Sequence, residues 1–553
     1  MKILKRILLV ATIIIIGASS SLYYHFKSFA DPSNQLDIQI QRQYENKLQT
    51  SAKRALDFSP FEASMEAMDY DRYSLLESLI VESDLDFLQK AIKEELFTIE
   101  ELTTFYIKRI EALDHNKLNT VIELNPDAIK IARQLDSERD SIENRSSLYG
   151  MPVLLKDNIG TGDEMHTTAG AAALANSKSG RDAFIVQKLR DSGAIILGKA
   201  NLSEWANFMS YSSSNGYSAL GGQTLNPYGR FDVGGSSSGS AASVSASFSA
   251  LTIGTETAGS IIYPSSQNSV VGFKPSLGLW SRDRIIPIAH AQDTAGPIGR
   301  TVADVAYLLE ALAGSDEKDQ VTVKAFENYQ LATNFTDSLD PNGLEGLKVG
   351  IIANESATGH YRLEDEEILN RVIAELEASG AIVKEVQFPE TINDINYMDV
   401  LVYEFKEGVE AYLDAVGDNS PINDLNAIIE FNKEDVHNRA PYGQELLELS
   451  NSTELTTDVI APLILKNRAM ASTAIDAVLK SQDVDVLLSL SNYISNVYAP
   501  AGYPAITVPA GYRESGEPIG MTMTSGLFQD TVLIKAAYGY EQSTKHRIHP
   551  KLK

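Results

Sequence analysis

Short apolar runs alternate with helical patterns along most of this chain. The apolar runs predict strands, and the helical periodicity between them predicts helices. The predicted strands are 152–155, 194–197, 251–254, 349–352, 486–488 and 505–508, and the predicted helices are 183–192, 302–313, 365–379 and 532–542. Such alternation is typical of α/β proteins, in which helices cover both faces of a sheet. We therefore predict one large domain, residues 76–550, built on a large mixed, mostly parallel twisted sheet.

Composition excludes several classes of chemistry. The chain has no cysteine, so disulfides, thiol nucleophiles and cysteine-ligated metal centres are ruled out. Its eight histidines form no HExxH pair, and nothing predicts a zinc protease. The 47 basic and 74 acidic residues give a net charge of −27, which argues against a nucleic-acid partner because phosphates would be repelled. We predict neither a metal nor another cofactor.

The N-terminal segment predicts export. Lys2, Lys5 and Arg6 precede an apolar run that begins at Ile7, and no acidic or basic residue follows until Lys27. A positive segment followed by an apolar run is typical of a signal peptide, and the run is just long enough for a bilayer of ~30 Å. Residues 1–30 are therefore predicted to be a signal peptide or an N-terminal membrane anchor.

The rest of the chain is then predicted to be extracytoplasmic, either secreted or anchored to the cell membrane. Contact with the membrane is predicted only through the N-terminal segment. Residues 31–75 are predicted to form a polar stalk or linker because asparagine and glutamine are frequent in them.

Two glycine motifs match catalytic patterns only formally. The run from Gly193 to Lys199 has the spacing of a P-loop, but its interior is apolar and Ala200 has no hydroxyl for magnesium, so a buried strand is favoured. The run Gly235-Ser-Ser-Ser-Gly239 has the spacing of a nucleophile elbow. Such an elbow follows a buried strand, whereas a turn-rich loop precedes this one, and the elbow is not favoured.

A third set of motifs is far more specific. Its central parts are Met151-Pro-Val-Leu-Leu-Lys-Asp-Asn158, Gly234-Gly-Ser-Ser-Ser-Gly-Ser-Ala241 and Gly254-Thr-Glu-Thr-Ala-Gly-Ser-Ile261. They are accompanied by Gly222-Gln-Thr-Leu-Asn-Pro227, Asn268-Ser-Val-Val-Gly-Phe-Lys-Pro275, Gln292-Asp-Thr-Ala-Gly-Pro297 and 501–511. In these motifs the chain resembles the amidase signature family, serine hydrolases that cleave carboxamides with a Ser–cis-Ser–Lys triad. The resemblance implies that residues 76–550 are an amidase catalytic domain without a cofactor.

The resemblance also implies a role for each motif. Ser260 is expected to be the acyl-forming nucleophile, Ser236 the bridging serine reached through a cis peptide from Gly235, and Lys156 the base. The oxyanion hole and substrate-binding amides are expected at Thr257, Ala258, Gly259 and Ser260. This chemistry is coherent, because a serine needs an adjacent base and the pKa of a lysine falls when it is buried. A hydroxyl between them can relay the proton, since it both donates and accepts.

Details of the motifs indicate which subfamily of the amidase signature family the chain resembles more. Many members read Gly-Gly-Ser-Ile-Arg at the nucleophile, whereas this chain reads Ala258-Gly-Ser-Ile-Ile262, which weakens the match to the amidotransferases that act on glutamyl-tRNA. The Gly-Thr-Glu-Thr-x-Gly-Ser pattern, together with Ile285-Ile-Pro-Ile288, is more similar to bacterial peptide amidases, which remove a C-terminal amide.

We therefore predict an amidohydrolase that converts peptide C-terminal amides or other small amides to carboxylate and ammonia or amine, through an acyl-enzyme. Two alternatives stay open. One is a glutamine-dependent amidotransferase A-type subunit, which would be cytosolic and need a partner. The other is a non-catalytic binding protein on the same fold. A homodimer is compatible with the predicted enzyme.

Overall fold

The computed structural model describes residue 43 and residues 52–141, 145–353 and 363–552. The predicted leader at 1–30 lies outside these ranges. Within them, no helix combines the length and the apolar character needed to cross a membrane.

An 11-stranded sheet forms the centre of the described chain, with the order β1-β3-β2-β6-β8-β7-β12-β13-β11-β9-β10, and β4 and β5 form a separate two-stranded ribbon. The strands are β1 (Val121–Leu124), β2 (Pro152–Lys156), β3 (Ile195–Ala200), β4 (Tyr217–Ser218), β5 (Gly222–Gln223), β6 (Leu251–Glu256), β7 (Val271–Lys274), β8 (Thr294–Gly299), β9 (Lys348–Ile352), β10 (Ile382–Val386), β11 (Val486–Leu490), β12 (Ala505–Tyr512) and β13 (Pro518–Thr524).

Helices surround the sheet. They are α1 (Glu62–Ala67), α2 (Tyr70–Ile80), α3 (Leu85–Lys93), α4 (Ile99–Leu113), α5 (Ala128–Glu138), α6 (Phe184–Asp191), α7 (Ser238–Ser245), α8 (Ile262–Gln267), α9 (Val302–Leu312), α10 (Gln320–Asn328), α11 (Leu363–Ala378), α12 (Tyr397–Val416), α13 (Leu425–Lys433), α14 (Val436–Arg439), α15 (Glu445–Asn451), α16 (Thr457–Ser481), α17 (Ser495–Ala501) and α18 (Asp530–Thr544). The six predicted strands and four predicted helices are confirmed, as is the α/β class with its large mixed sheet.

The proportion of parallel pairing is lower than predicted. Parallel pairs occur at the two flanks, where β2 lies between β3 and β6 and where β9 lies between β11 and β10. The other neighbours in the large sheet are antiparallel. The alternation of strands and helices predicted a mixed, mostly parallel sheet, but β12 joins β13 through a short turn, and β7 joins β8 without an intervening α-helix. Those connections reverse the chain and make the centre of the sheet antiparallel.

The predicted stalk at 31–75 is also wrong in its described part. Residues from Ser59 onward form helical turns, and Phe61, Met65 and Met68 are buried in the main hydrophobic core. These side chains recur at helical spacing, so they form one apolar face even though most residues between them are polar. Upstream of them, Arg54 forms an ion pair with Glu123 at 2.8 Å. The folded domain therefore begins well before residue 75.

Candidate active site

Lys156 is the last residue of β2, a strand buried along its whole length between β3 and β6. Its side chain is inaccessible to solvent. The Nζ atom lies 2.8 Å from Oγ of Ser236 and donates to both oxygens of Thr255, to the carbonyl at 3.1 Å and to the hydroxyl at 2.9 Å. The sequence-predicted base therefore lies in a dry site and contacts only neutral oxygen atoms.

Burial governs the charge of Lys156. Desolvation lowers its pKa to about 7, and the carboxylates of Asp293 and Glu256 oppose that fall only in part. An ordinary lysine titrates near 10.4, so it would be fully charged at neutral pH. Lys156 is instead substantially neutral at pH values just above 7, as a base must be.

Ser236 enters the site through a sharp turn. The Gly235–Ser236 peptide bond is cis, as predicted, and the Ser236 carbonyl accepts a hydrogen bond from Ser203 N–H at 3.0 Å. A Cβ on Gly235 would lie 2.5 Å from Oγ of Ser203, so only glycine allows this close approach. The next residue, Ser237, donates its hydroxyl to the Thr255 carbonyl at 3.0 Å. These contacts fix the serine turn against the end of β6.

Ser260 lies in the loop between β6 and α8. The Ser237 N–H donates to the Ser260 carbonyl at 3.1 Å, and this bond joins the two serine-bearing segments. Glu256, the last residue of β6, accepts from the N–H groups of Ile261 at 2.7 Å and Ile262 at 3.0 Å, and from the hydroxyl of Tyr498 at 2.9 Å. Glu256 therefore uses one carboxylate oxygen to hold the residues that follow Ser260 and the other to contact Tyr498.

The amides before Ser260 are available to a ligand. Gly259 has a φ of +84°, the left-handed region that favours glycine, whereas Ala258 stays outside that region. Within the described chain, the N–H groups of Ala258, Gly259 and Ser260 donate to no other residue. Three consecutive unused donors beside a serine hydroxyl are what an oxyanion hole requires.

Asp293 holds the first residue of this loop in place. The Thr257 hydroxyl donates to one carboxylate oxygen of Asp293 at 2.5 Å. The N–H groups of Ile288 and Ala289 donate to the other oxygen at 2.9 and 3.0 Å. A narrow cavity lies here and is lined by Asn158, Thr255, Thr257, Ile285, Ile286, Ile288, Asp293 and further residues of both segments.

Sequence reasoning assigned no role to Thr255, Asn158 or Asp293. All three fall inside the motifs quoted above, and that position was the only sequence feature that could have indicated a role for them. The amide of Asn158 donates to Oγ1 of Thr255 and to the Ile286 carbonyl, both at 3.1 Å, so it positions the acceptor of Lys156. Asp293 contacts residues up to 36 positions away, and such a contact cannot be read from spacing.

The formal P-loop is a strand. Residues Ile195–Ala200 form β3 and are all buried. The amine of Lys199 donates to the Ile159 carbonyl at 2.7 Å and to the hydroxyl of Thr167 at 3.0 Å. These bonds turn the amine into the protein interior, and no phosphate loop is present there.

Comparison with known proteins decides the family. Residues 101–534 match the family model described as Amidase. The chain belongs to the amidase family. It is an enzyme of the hydrolase class, as the sequence motifs predicted.

Several known proteins are similar to this amidase. A probable amidase of Arabidopsis thaliana is 38% identical over 85% of this chain and 92% of its own. The solved structure of an amidase family protein from Bacillus anthracis has a TM-score of 0.85 at 39% identity, over 90% of this chain and 97% of its own. Native peptide amidase from Stenotrophomonas maltophilia has a TM-score of 0.79 at 39% identity, over 85% of this chain and 99% of its own. A glutamyl-tRNA(Gln) amidotransferase polypeptide of Gloeothece citriformis is less similar, at 31% identity over 84% of this chain and 98% of its own.

Proposed function

We propose that Lys156, Ser236 and Ser260 form the catalytic triad of this amidase. The observation that carries the proposal is the 2.8 Å contact between Nζ of Lys156 and Oγ of Ser236 in a site closed to solvent. A neutral amine has two N–H donors, and the carbonyl and hydroxyl of Thr255 accept both. The lone pair of the nitrogen then faces Ser236, which is the arrangement of a general base.

The first half of the reaction forms the acyl-enzyme. Oγ of Ser260 attacks the carboxamide carbon while its proton passes to Ser236, and the proton of Ser236 passes to Lys156. The carbonyl oxygen becomes an oxyanion, which accepts hydrogen bonds from the amides of Ala258, Gly259 and Ser260. Lys156 then returns a proton through Ser236 to the leaving nitrogen. The C–N bond breaks and ammonia or an amine departs.

The second half restores the enzyme. Water attacks the ester on Ser260, and its proton follows the same path to Lys156. The tetrahedral intermediate collapses, the bond to Oγ of Ser260 breaks, and the serine recovers its proton as the carboxylate product leaves. One water is consumed for each amide bond cleaved, and no cofactor is needed.

We propose peptide C-terminal amides and other small carboxamides as the substrates. The similarity to the Stenotrophomonas peptide amidase supports this class.

The test is release of ammonia from a panel of peptide amides, with the matching free acids as blanks and the Ser260→Ala variant as the inactive control. Hydrolysis of the amides by the wild type alone supports the proposal. Ammonia release from glutamine, with no peptide amide cleaved, would favour an amidotransferase A-type subunit. Binding of amides without any turnover would favour a non-catalytic protein.

We further propose that residues 1–30 direct this amidase out of the cytoplasm. The support is the sequence pattern alone: basic residues at Lys2, Lys5 and Arg6, followed by the apolar run. Fractionation of expressing cells checks this, and the N-terminal sequence of the recovered protein distinguishes a cleaved signal peptide from an anchor. Recovery of the intact chain from the cytosol would contradict export.

A further inference from the structure

A second cavity, here called the outer cavity, shares residues of the 282–290 segment with the narrow cavity beside Thr257. Its volume is about 510 Å³, and it is enclosed by α12, the start of α10 and residues 282–290. Its charged lining residues are Arg181, Arg282, Arg284, Lys318, Asp283 and Asp319. Basic groups therefore outnumber acidic ones here, in a protein whose net charge is −27.

Both carboxylates of the outer cavity are already occupied. Asp283 receives two hydrogen bonds from the guanidinium of Arg181, at 2.5 and 2.7 Å. Asp319 receives two from the guanidinium of Arg282, at 2.8 and 2.6 Å. Each two-point pair balances the negative charge of its carboxylate. The positive charges of Arg284 and Lys318 are left without a partner carboxylate among the described residues.

Arg284 is the less solvated of these two cations. Its side chain forms no hydrogen bond or ion pair with any described residue, and its Nε and Nη1 atoms are buried. Burial, and the neighbouring Arg181, lower the pKa of Arg284. A partly desolvated guanidinium without an anion is unfavourable, so an anionic ligand would be stabilised beside it.

Backbone hydrogen bonds to the segment that follows β2 fix the conformation around Arg284. Its φ of +61° is unusual for a residue with a side chain, and such strain persists only where the surroundings enforce it. The Gly160 N–H donates to the Arg284 carbonyl at 2.9 Å, and the Ile286 N–H donates to the Asn158 carbonyl at 2.9 Å. Asn158 and Gly160 closely follow Lys156, the last residue of β2. These two hydrogen bonds therefore hold the backbone around Arg284 against the segment that follows β2.

The outer cavity is close enough for a substrate to reach. It shares Arg282, Ile285, Pro287 and His290 with the narrow cavity beside Thr257. The narrow cavity is also lined by Thr257, which directly precedes Ala258, Gly259 and Ser260 in the chain. The outer cavity is therefore continuous with the surroundings of Ser260, and a peptide amide that extends away from Ser260 can enter it.

We propose that the outer cavity binds a carboxylate on the acyl part of the substrate, with Arg284 and Lys318 as its partners. Acidic peptide amides are then preferred over their neutral isosteres. This inference rests on the proposed function, because it takes the substrate to be a peptide amide that extends away from Ser260.

Binding, measured without turnover, tests this preference. The Ser260→Ala variant is titrated with tetrapeptide amides in which one glutamate is moved through the four positions, each against its glutamine isostere. We expect about tenfold tighter binding of the glutamate peptide at one position, as for a charge-assisted hydrogen bond. We also expect that advantage to shrink as salt is added, because a partly exposed pair is screened.

Three variants in the Ser260→Ala background assign the preference to the cavity. Arg284→Gln should abolish it, and Lys318→Gln should reduce it. Lys318 is exposed, so its replacement keeps the test valid even where Arg284→Gln folds poorly. Lys324→Gln is the matched control, because this exposed residue of α10 changes the net charge equally and does not line the cavity.

Equal binding of glutamate and glutamine peptides at all four positions would overturn the proposal. A preference that survives both Arg284→Gln and Lys318→Gln would overturn it as well. Hydrolysis by the wild type is measured separately on neutral peptide amides. A protein that binds acidic peptides tightly but cleaves no amide would contradict the proposed function and leave the anion site supported.

Discussion

The Nζ atom of Lys156 lies 2.8 Å from the Oγ atom of Ser236, although 80 residues separate them in the chain. The lysine stands at the fully buried end of a parallel strand, and the serine follows Gly235 in a turn packed against β6. Burying an amine is costly unless it is hydrogen-bonded, and here its hydrogen-bond partners are neutral oxygen atoms. That environment suits a lysine base that acts through a serine.

Substitutions of Lys156 distinguish a lysine that acts as the catalytic base from one that only supports the fold. Lys156→Ala should lower kcat by about 10²–10⁴-fold, because it removes the proton acceptor. Lys156→Arg should be equally inactive, since a guanidinium does not deprotonate near neutral pH. The measurement is kcat on a peptide amide, with circular dichroism as the check on folding. An active arginine variant beside an unfolded alanine variant would remove Lys156 from the mechanism.

A fluorophosphonate distinguishes the two serines. We expect the reagent to modify Ser260, because the N–H groups of Ala258, Gly259 and Ser260 have no acceptor within the described chain and can hold the phosphoryl oxygen. Peptide mapping by mass spectrometry locates the adduct. Ser260→Ala should abolish labelling, while Ser236→Ala should slow it and leave the adduct on Ser260. An adduct found on Ser236 or Ser237 of the wild type would favour the nucleophile-elbow arrangement instead.

The pH dependence of kcat/KM should report the amine of Lys156. Activity requires the neutral form, so it should rise with pH through an apparent pKa of about 7 and stay high above it. The carboxylate of Asp293 raises the pKa of Lys156, so Asp293→Asn should move this limb to lower pH. Asp293 itself faces His290 and Arg282, and burial raises the pKa of its carboxyl.

Thr257→Val is the matched control for Asp293→Asn. It removes the hydrogen bond between Thr257 and Asp293 but leaves the carboxylate in place, whereas Asp293→Asn removes the charge and keeps a side chain that can bond to Thr257. We expect a lower kcat from the loosened loop and an unchanged apparent pKa. An equal shift of the pH profile in both variants would show that loop geometry, and not the charge of Asp293, sets the pKa.

The resemblance of three short motifs to the amidase signature family predicted much of the proposed site, and the sequence predicted little of the sheet order. Lys156, Ser236 and the cis bond were predicted because the residues that carry the resemblance are contiguous in those motifs. The acceptor Thr255 and the anchor Asp293 were not, because their roles depend on contacts made only after β6 and β8 pair. The central strands β7 and β8 were missed for another reason: glycine and proline interrupt their apolar residues, so neither reads as a continuous apolar run.

Gly259 should be essential to the oxyanion loop. A Cβ at this position would lie 2.9 Å from Nδ2 of Asn492, and the φ of +84° strains any side chain. Gly259→Ala should therefore lower kcat by about 10²-fold by shifting the amide donors, with a smaller effect on KM. Ala258→Gly is the control, because Ala258 is outside the left-handed region and should stay near wild-type activity. Equal kinetics in both variants would contradict the assigned donors.

The pH dependence of the free energy of unfolding reports the charge of Lys156 without an activity measurement. Between the folded pKa of about 7 and the unfolded value near 10.4, the unfolded chain binds a proton that the folded chain does not. Lowering the pH through this window therefore favours unfolding, by about 1.4 kcal/mol per pH unit for this one group. Lys156→Met keeps the volume and removes the titration. It also leaves the hydroxyl of Ser236 without its partner, but that loss is the same at every pH.

The quantity to compare is the free energy of unfolding of Lys156→Met minus that of the wild type. This difference should be larger at pH 7.5 than at pH 9.5, by about 2–3 kcal/mol. Urea unfolding of both proteins at the two pH values gives this difference, and the titrations of all other groups cancel in it. A difference that stays constant from pH 7.5 to 9.5 would mean that Lys156 is charged in the folded protein. A charged Lys156 cannot accept the proton of Ser236, and the lysine-based mechanism would then have to be abandoned.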